Sequence, residues 1–193
     1  MVTNPSDPRI GDPITVHRTR PVVLINGMPG AGKTTLAPHL AAELGWPLVG
    51  KDMLKEVFGD ILGVPVEKTA MLGALASDTM WSLAALVDGP VIVESFWRSD
   101  RDQEFLRRGL EVANAGPVVE VWCTVPLEVA RQRFLTRPRH PIHGDTRRLD
   151  EWDSWAAIAL PCSGHPVIEV GTDGPVNVAE LATRIKAELG VAA

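Results

Sequence analysis

Residues 21–36 read PVVLINGMPGAGKTTL: an apolar β-branched run, a turn dense in glycine and proline, then a segment of helix-forming residues. This stretch constrains the fold more than any other. Four consecutive apolar residues, Val22–Ile25, leave a strand no polar face, so the strand belongs in a sheet covered on both sides. The spacing Gly27-x-x-x-x-Gly32-Lys33-Thr34 matches the pattern G-x-x-x-x-G-K-[ST] in full. Glycines at these points let the backbone curl until successive N–H groups face one spot. The helix opening at Gly32 and Lys33 presents the positive end of its dipole to the same spot. The pattern therefore predicts a phosphate cradle over Gly27, Met28, Pro29, Gly30, Ala31, Gly32, Lys33, Thr34 and Thr35. Lys33 would reach the β- and γ-phosphates of a nucleotide, and the Thr34 hydroxyl would serve Mg²⁺.

The rest of the chain alternates between strand and helix signals. Val22–Asn26 is the first expected strand, and a helix follows over about Gly32–Leu44, where Pro38 removes one hydrogen bond. Gly45-Trp46-Pro47 breaks that helix, and Pro47–Gly50 is a short second strand. Asp52 stands where it could cap a helix over Met53–Phe58. Gly59–Pro65 reads as a loop and Val66–Val87 as a long helix with Met71, Leu75, Leu83 and Leu86 among its core residues. Val91–Val93 is an apolar strand that ends in Glu94. A helix over Asp100–Ala115, a strand over Val118–Thr124 and a helix over Leu127–Thr136 come next. Asp150–Leu160 fits a short helix, Val167–Val170 a fifth strand and Val176–Leu189 a last helix. This alternation gives a three-layer α/β domain around a parallel sheet. Ligands of such sheets lie beyond the C-terminal strand ends, where the 27–34 loop, Asp52 and Glu94 would converge.

The 193 residues suit a loose arm over 1–20 and a single domain over 21–193. Cys123 and Cys162 lack metal-ligand spacing and point to a reducing compartment. The polar, proline-bearing start has no signal-peptide character, and no apolar run reaches the roughly 18 residues of a membrane span. A cytoplasmic enzyme is expected, with no membrane partner. The net charge of −5 weighs against a nucleic-acid partner, which calls for a basic excess. Oligomeric state leaves no trace in the sequence.

The phosphate-loop motif, with Asp52 and Glu94 in matching order, resembles the small-molecule kinase branch of the P-loop proteins, with a nucleoside-monophosphate-kinase-like fold. Gluconate kinase, chloramphenicol phosphotransferase and the polynucleotide kinase domain are relatives in that branch, and such chains also carry the label AAA-family ATPase. The resemblance spans about residues 21–189, although only Gly27–Thr34 is specific. It implies strand order 2-3-1-4-5, Mg²⁺ and ATP as cofactors, and an arginine-rich lid at about 137–150. It also implies a general base directly after the second strand, the position of Asp52, although a plain helix cap would fit that residue too. The chain lacks the paired Asp-Glu and the extra helical domain of an AAA+ motor.

Arg131, Arg133, Arg137, Arg139, Arg147 and Arg148 fall within 18 residues. Guanidinium groups suit the charge that spreads over a transferring phosphoryl group, and Arg133 and Arg137, four apart, are the expected phosphate contacts. His140 and His143 are too loosely spaced for zinc. Glu94 would hold a Mg²⁺-bound water or orient the acceptor, unless it is an ordinary strand-end carboxylate. Trp97 is the expected stacking surface for a substrate ring, and Arg98 would meet the acceptor or solvent. Trp152 and Trp155, three apart on a helix, suit core packing. Together these features predict an ATP-dependent phosphotransferase acting on a hydroxyl of a small molecule. A kinase for a nucleotide or nucleic-acid 5′-hydroxyl and a nucleotide-binding regulator with slow hydrolysis are the alternatives.

Overall fold

The computed structural model describes residues 19–63, 66–144 and 149–192. The sheet is built from β1 (Arg20–Gly27), β2 (Leu48–Gly50), β3 (Val91–Glu94), β4 (Ala115–Thr124) and β5 (Val167–Gly171). All pairings are parallel, in the order β2-β3-β1-β4-β5, as the resemblance implied. Among the described residues seven α-helices connect and cover it: α1 (Lys33–Leu44), α2 (Lys51–Leu62), α3 (Thr69–Leu86), α4 (Gln103–Val112), α5 (Leu127–Thr136), α6 (Leu149–Ile158) and α7 (Val178–Leu189).

The unbroken apolar run of β1 follows from its place at the centre of the sheet, with helices on both faces. Alternate side chains point to opposite sides. Val23 and Ile25 meet Leu36 and Leu40 of α1, Leu181 and Ile185 of α7, and Trp152 and Trp155 of α6. Val22 and Leu24 meet Met80, Trp81 and Ala84 of α3 and Leu106 and Leu110 of α4. The core role expected of Trp152 and Trp155 holds, at 2% and 3% exposure.

One expectation fails along α3. Met71, Leu75, Leu83 and Leu86 are exposed, while Leu72, Ala76, Met80 and Ala84 form the buried stripe. This helix is apolar on nearly every side, so periodicity does not select a face. Trp81 is the exception in size. It packs where α4 has Gly109, whose Cβ would come within 2.0 Å of the indole.

Other boundaries move for local reasons. Between Arg98 and Asp102 the chain makes a turn, with the Asp102 carboxylate accepting from the Arg98 N–H at 2.9 Å, so α4 starts three residues later than expected. α2 runs on through Gly59 to Leu62. β4 begins at Ala115, opposite Arg20, and so starts earlier than its apolar run. Residues 1–18 of the expected arm, and Arg147 and Arg148 of the expected lid, lie outside the described residues.

Candidate active site

The loop between β1 and α1 is shaped by glycines that nothing else could replace. At Gly30, φ is 94° and an added Cβ would lie 2.1 Å from the Ala130 carbonyl oxygen. At Gly27 it would lie 2.6 Å from the Cys123 carbonyl oxygen, so the loop lies directly against β4 and α5. Gly32 caps α1 in a left-handed conformation, and the helix has neither a side-chain cap nor an acidic residue in its first turn. An uncapped helix start suits an anion.

Lys33 folds back over the loop. Its Nζ donates to the Gly27 carbonyl at 2.8 Å and the Met28 carbonyl at 3.1 Å, and it lies 5.6 Å from the centre of the Phe96 ring. Burial pushes its pKa below the ordinary lysine value, against the pull of Glu94, Cys123 and Asp52. A buried ammonium ringed by backbone carbonyls is a strong anion attractor. These features fit a nucleotide's phosphates.

Glu94 ends β3 beside Gly50 at the end of β2, the two being register partners. It is buried, and burial pushes its pKa up to about 7 against the pull of Lys33. The Thr34 hydroxyl lies 3.5 Å from its Oε1. This pair suits a hydrated divalent cation at the loop, with Thr34 and Glu94 the groups to hold it. Among the described residues no group of three or more His, Cys, Asp or Glu could hold a metal ion by itself.

Asp52 follows β2 in the first turn of α2, but the N-cap is Gly50, with no side-chain cap bond. Its carboxylate instead reaches across to the segment after α5. Arg139 donates to Oδ2, and His143 Nδ1 lies 4.0 Å from Oδ1. Burial pushes the Asp52 pKa up, but Arg139, His143, Lys33 and Lys51 outweigh it and hold the group below the usual carboxylate value. Asp52 is therefore an anion at neutral pH.

The arginines divide. Arg133 donates to the Thr172 carbonyl at 3.1 Å, next to Gly32. Arg137 lies over the Phe134 ring at 5.5 Å and acts electrostatically on Lys33. Arg131 pairs with Asp153 at the surface. Arg139, which the helical spacing did not single out, is the arginine that donates to Asp52.

One expected contact is corrected. Trp97 is 5% exposed and packs against Trp81 at 6.0 Å between ring centres, so its ring is core and cannot stack on a substrate. Arg98 is engaged by Asp100 through two exposed hydrogen bonds, on the solvent side of the two roles expected of it.

The structure also adds residues that motif reading missed. Thr172, just after β5, donates to the Ala31 carbonyl at 2.6 Å and so holds the loop from the far side. Trp152 donates to the Pro29 carbonyl at 3.2 Å. Asn26 accepts from the Gly27 N–H at 2.8 Å and is itself bound by the buried Glu120. Asn26 immediately precedes the motif, a placement that could have drawn notice. Thr172 gives no sequence signal. Cys123 and Cys162 are free and buried, and burial pushes both thiols up to about 12, too high for a nucleophile at neutral pH.

No curated protein matches this chain. Among solved structures, a candidate kinase of Chloroflexus aurantiacus is 29% identical, with a TM-score of 0.78 over 89% of this chain and 100% of that one. A shikimate kinase from Acinetobacter baumannii is 21% identical, with a TM-score of 0.51 over 89% of this chain and 94% of its own. A gluconokinase from Sinorhizobium meliloti is 17% identical, with a TM-score of 0.52 over 90% and 93%. The last two share the fold alone. A family model described as an AAA domain matches residues 22–158, from the phosphate loop through α6, and the chain belongs to that family.

Proposed function

We propose that this chain is a P-loop phosphotransferase that moves the γ-phosphate of ATP to a hydroxyl of a small molecule. The observation that carries the reading is the convergence of three elements at adjacent strand ends. The Lys33 loop follows β1, Asp52 follows β2 and Glu94 ends β3. A donor cradle thus faces a carboxylate anion placed to take an acceptor's proton. The kinases among the structural relatives support a phosphotransferase in general.

In this reading Lys33 and the N-terminus of α1 bind the phosphates. Thr34 and Glu94 would hold Mg²⁺, which would supply positive charge against the negative charge that develops in the transfer. Arg133 and Arg137 border the loop and meet the negative charge of the transferring group. Asp52 accepts the acceptor's proton. The segment from Arg137 to His143 covers the cleft and keeps out water, which would compete as acceptor.

One observation favours a second reading. Arg139 already holds Asp52, as it would in a nucleotide-binding regulator with slow hydrolysis. A panel of hydroxyl compounds incubated with γ-labelled ATP separates the two. Label transfer by the wild type, falling at least about 100-fold in Asp52→Asn with ATP affinity intact, is the expected outcome. Full transfer by Asp52→Asn removes Asp52 as base. ATP binding without transfer to any compound favours the regulator.

A further inference from the structure

Asp52, Glu56 and Asp60 stand four residues apart on α2 and so share one face of the helix. The segment after α5 lies across that face and gives each carboxylate a partner. Arg139 donates to Asp52, His143 Nε2 lies 2.7 Å from Glu56 Oε1, and His140 Nε2 lies 2.9 Å from Asp60 Oδ1. The seat is close. Gly59 carries no side chain where a Cβ would come within 3.2 Å of Ile142. Thr69 donates to the Ile142 carbonyl from the other side.

His143 differs from the other two partners. Its side chain is 3% exposed, and its second nitrogen lies 4.0 Å from Asp52 Oδ1, while Arg139 donates to Oδ2. One buried imidazole therefore spans the candidate base and Glu56, whose side chain is 39% exposed.

A hydrogen bond of 2.7 Å to a carboxylate places a proton between Nε2 and Glu56. Burial holds the ring below its ordinary pKa. Arg139 and Lys55 push the same way, and Asp52 and Glu56 oppose them. His140 faces away toward Asp60. A neutral ring with its hydrogen on Nε2 has a lone pair on Nδ1, aimed at Asp52.

We infer that His143 is a positioning residue and proton sink for Asp52, and that Glu56 stabilises the charged ring and leads its proton to solvent. The inference rests on the proposed role of Asp52 as base. In the step, the acceptor oxygen bonds to the γ-phosphorus as the bond from that phosphorus to the departing ADP oxygen breaks. The acceptor's proton passes to Asp52 Oδ1 and then to His143 Nδ1. The ring's Nε2 proton leaves by way of Glu56. The gap to close is about 1 Å. Rotation of the Asp52 carboxylate, a soft torsion, closes it, and catalytic hydrogen bonds commonly tighten only when substrate arrives.

Two measurements test this. Ring-nitrogen NMR of the full-length protein, with the His143 signals assigned by their loss in His143→Gln, needs no acceptor. The neutral Nε2–H tautomer is expected at pH 7, and an Nδ1–H or charged ring overturns the inference. Transfer kinetics give the second readout. His143→Gln should lower kcat about 10- to 100-fold, with the KM for ATP within about twofold. Glu56→Gln keeps an acceptor for Nε2 and loses the charge, and should lower kcat about 3- to 10-fold; it carries the same test should His143→Gln fail to fold. Asp60→Asn cuts only the His140 pair and should leave kcat within about twofold. An equal loss in Asp60→Asn and His143→Gln means that the pairs merely seat the segment, which overturns the inference. Full kcat in a folded His143→Gln does the same while leaving the transferase reading intact. A wild type that binds ATP and phosphorylates nothing overturns both.

Discussion

Glu94 shows how a single residue can be read twice. The sequence places it at the end of an apolar strand, which predicts a carboxylate at the ligand crevice. It does not reveal how deeply the group is buried, because burial depends on Lys33 and Thr34 of α1 and Gly50 of β2 arriving from two other elements. The consequence is measurable in protein free of nucleotide and metal. The Glu94 pKa rises from an ordinary 4.5 to about 7 in the folded chain. The folded state therefore holds a proton that the unfolded state releases between those values. Its contribution to stability is complete below pH 4.5 and is lost as pH rises to about 7. The shift corresponds to about 3 kcal/mol. Glu94→Gln carries no such cost. Its melting temperature should exceed that of the wild type by about 5–10 °C at pH 8, and the gap should close by pH 5. Thermal melts of both proteins across that range check this, and parallel curves would refute it. The same local logic applies to Trp97: it follows Glu94 by three positions in sequence, but its ring is turned into the core beside Trp81.

At the scale of elements, the strand–loop–helix unit was legible because each level agreed. An apolar run, glycines at the required turns and a helix-forming segment all specify one structure. β1 and α1 accordingly appear where expected, and so does α5 (Leu127–Thr136), bounded by Pro126. α3 was legible as a helix but not as a helix with a face. Its sequence, TAMLGALASDTMWSLAAL, offers large apolar residues on several sides. Leu72 is 1% exposed and Leu75 is 47% exposed, a difference that nothing in their types foretells. Leu72→Ala should cost about 2–5 kcal/mol through the cavity it leaves. Leu75→Gln should stay within about 0.5 kcal/mol. Urea melts of the two variants decide the matter. Comparable losses would mean that the Leu75 side of α3 is covered in solution.

Among the described residues the whole molecule has two apolar cores, one on each face of the sheet, and a polar hub sits beside Trp97 and Cys162 of one of them. Glu120, in the middle of β4 and fully buried, accepts from the Asn26 amide at 2.8 Å, the Cys162 N–H at 3.1 Å and the Ser163 N–H at 2.9 Å. Asn26 in turn accepts from the Gly27 N–H at 2.8 Å and the Trp97 N–H at 3.1 Å, and donates to the Trp97 carbonyl at 3.2 Å. Four separate stretches meet here: the end of β1, the middle of β4, the chain after β3 and the chain before β5. No sequence pattern marks such a hub, since its members are 94 and 136 positions from Asn26 and become neighbours only when the sheet forms. A buried carboxylate satisfied by N–H donors is costly to disturb, because its removal strands every donor at once. Glu120→Ala should therefore destabilise the protein by about 3–5 kcal/mol, more than the loss of a side chain of its size would suggest. Glu120→Gln, which keeps an acceptor for the two backbone donors on Oε2 and loses the one for the Asn26 amide, should cost about 1–3 kcal/mol. The loss should extend to the site, since the Gly27 N–H that opens the phosphate loop is held by Asn26. ATP affinity measured by calorimetry in Glu120→Gln, under conditions where the variant is folded, should fall severalfold. Wild-type affinity in a variant clearly destabilised in urea would confine the hub to joining the four stretches, without a role at the phosphate loop.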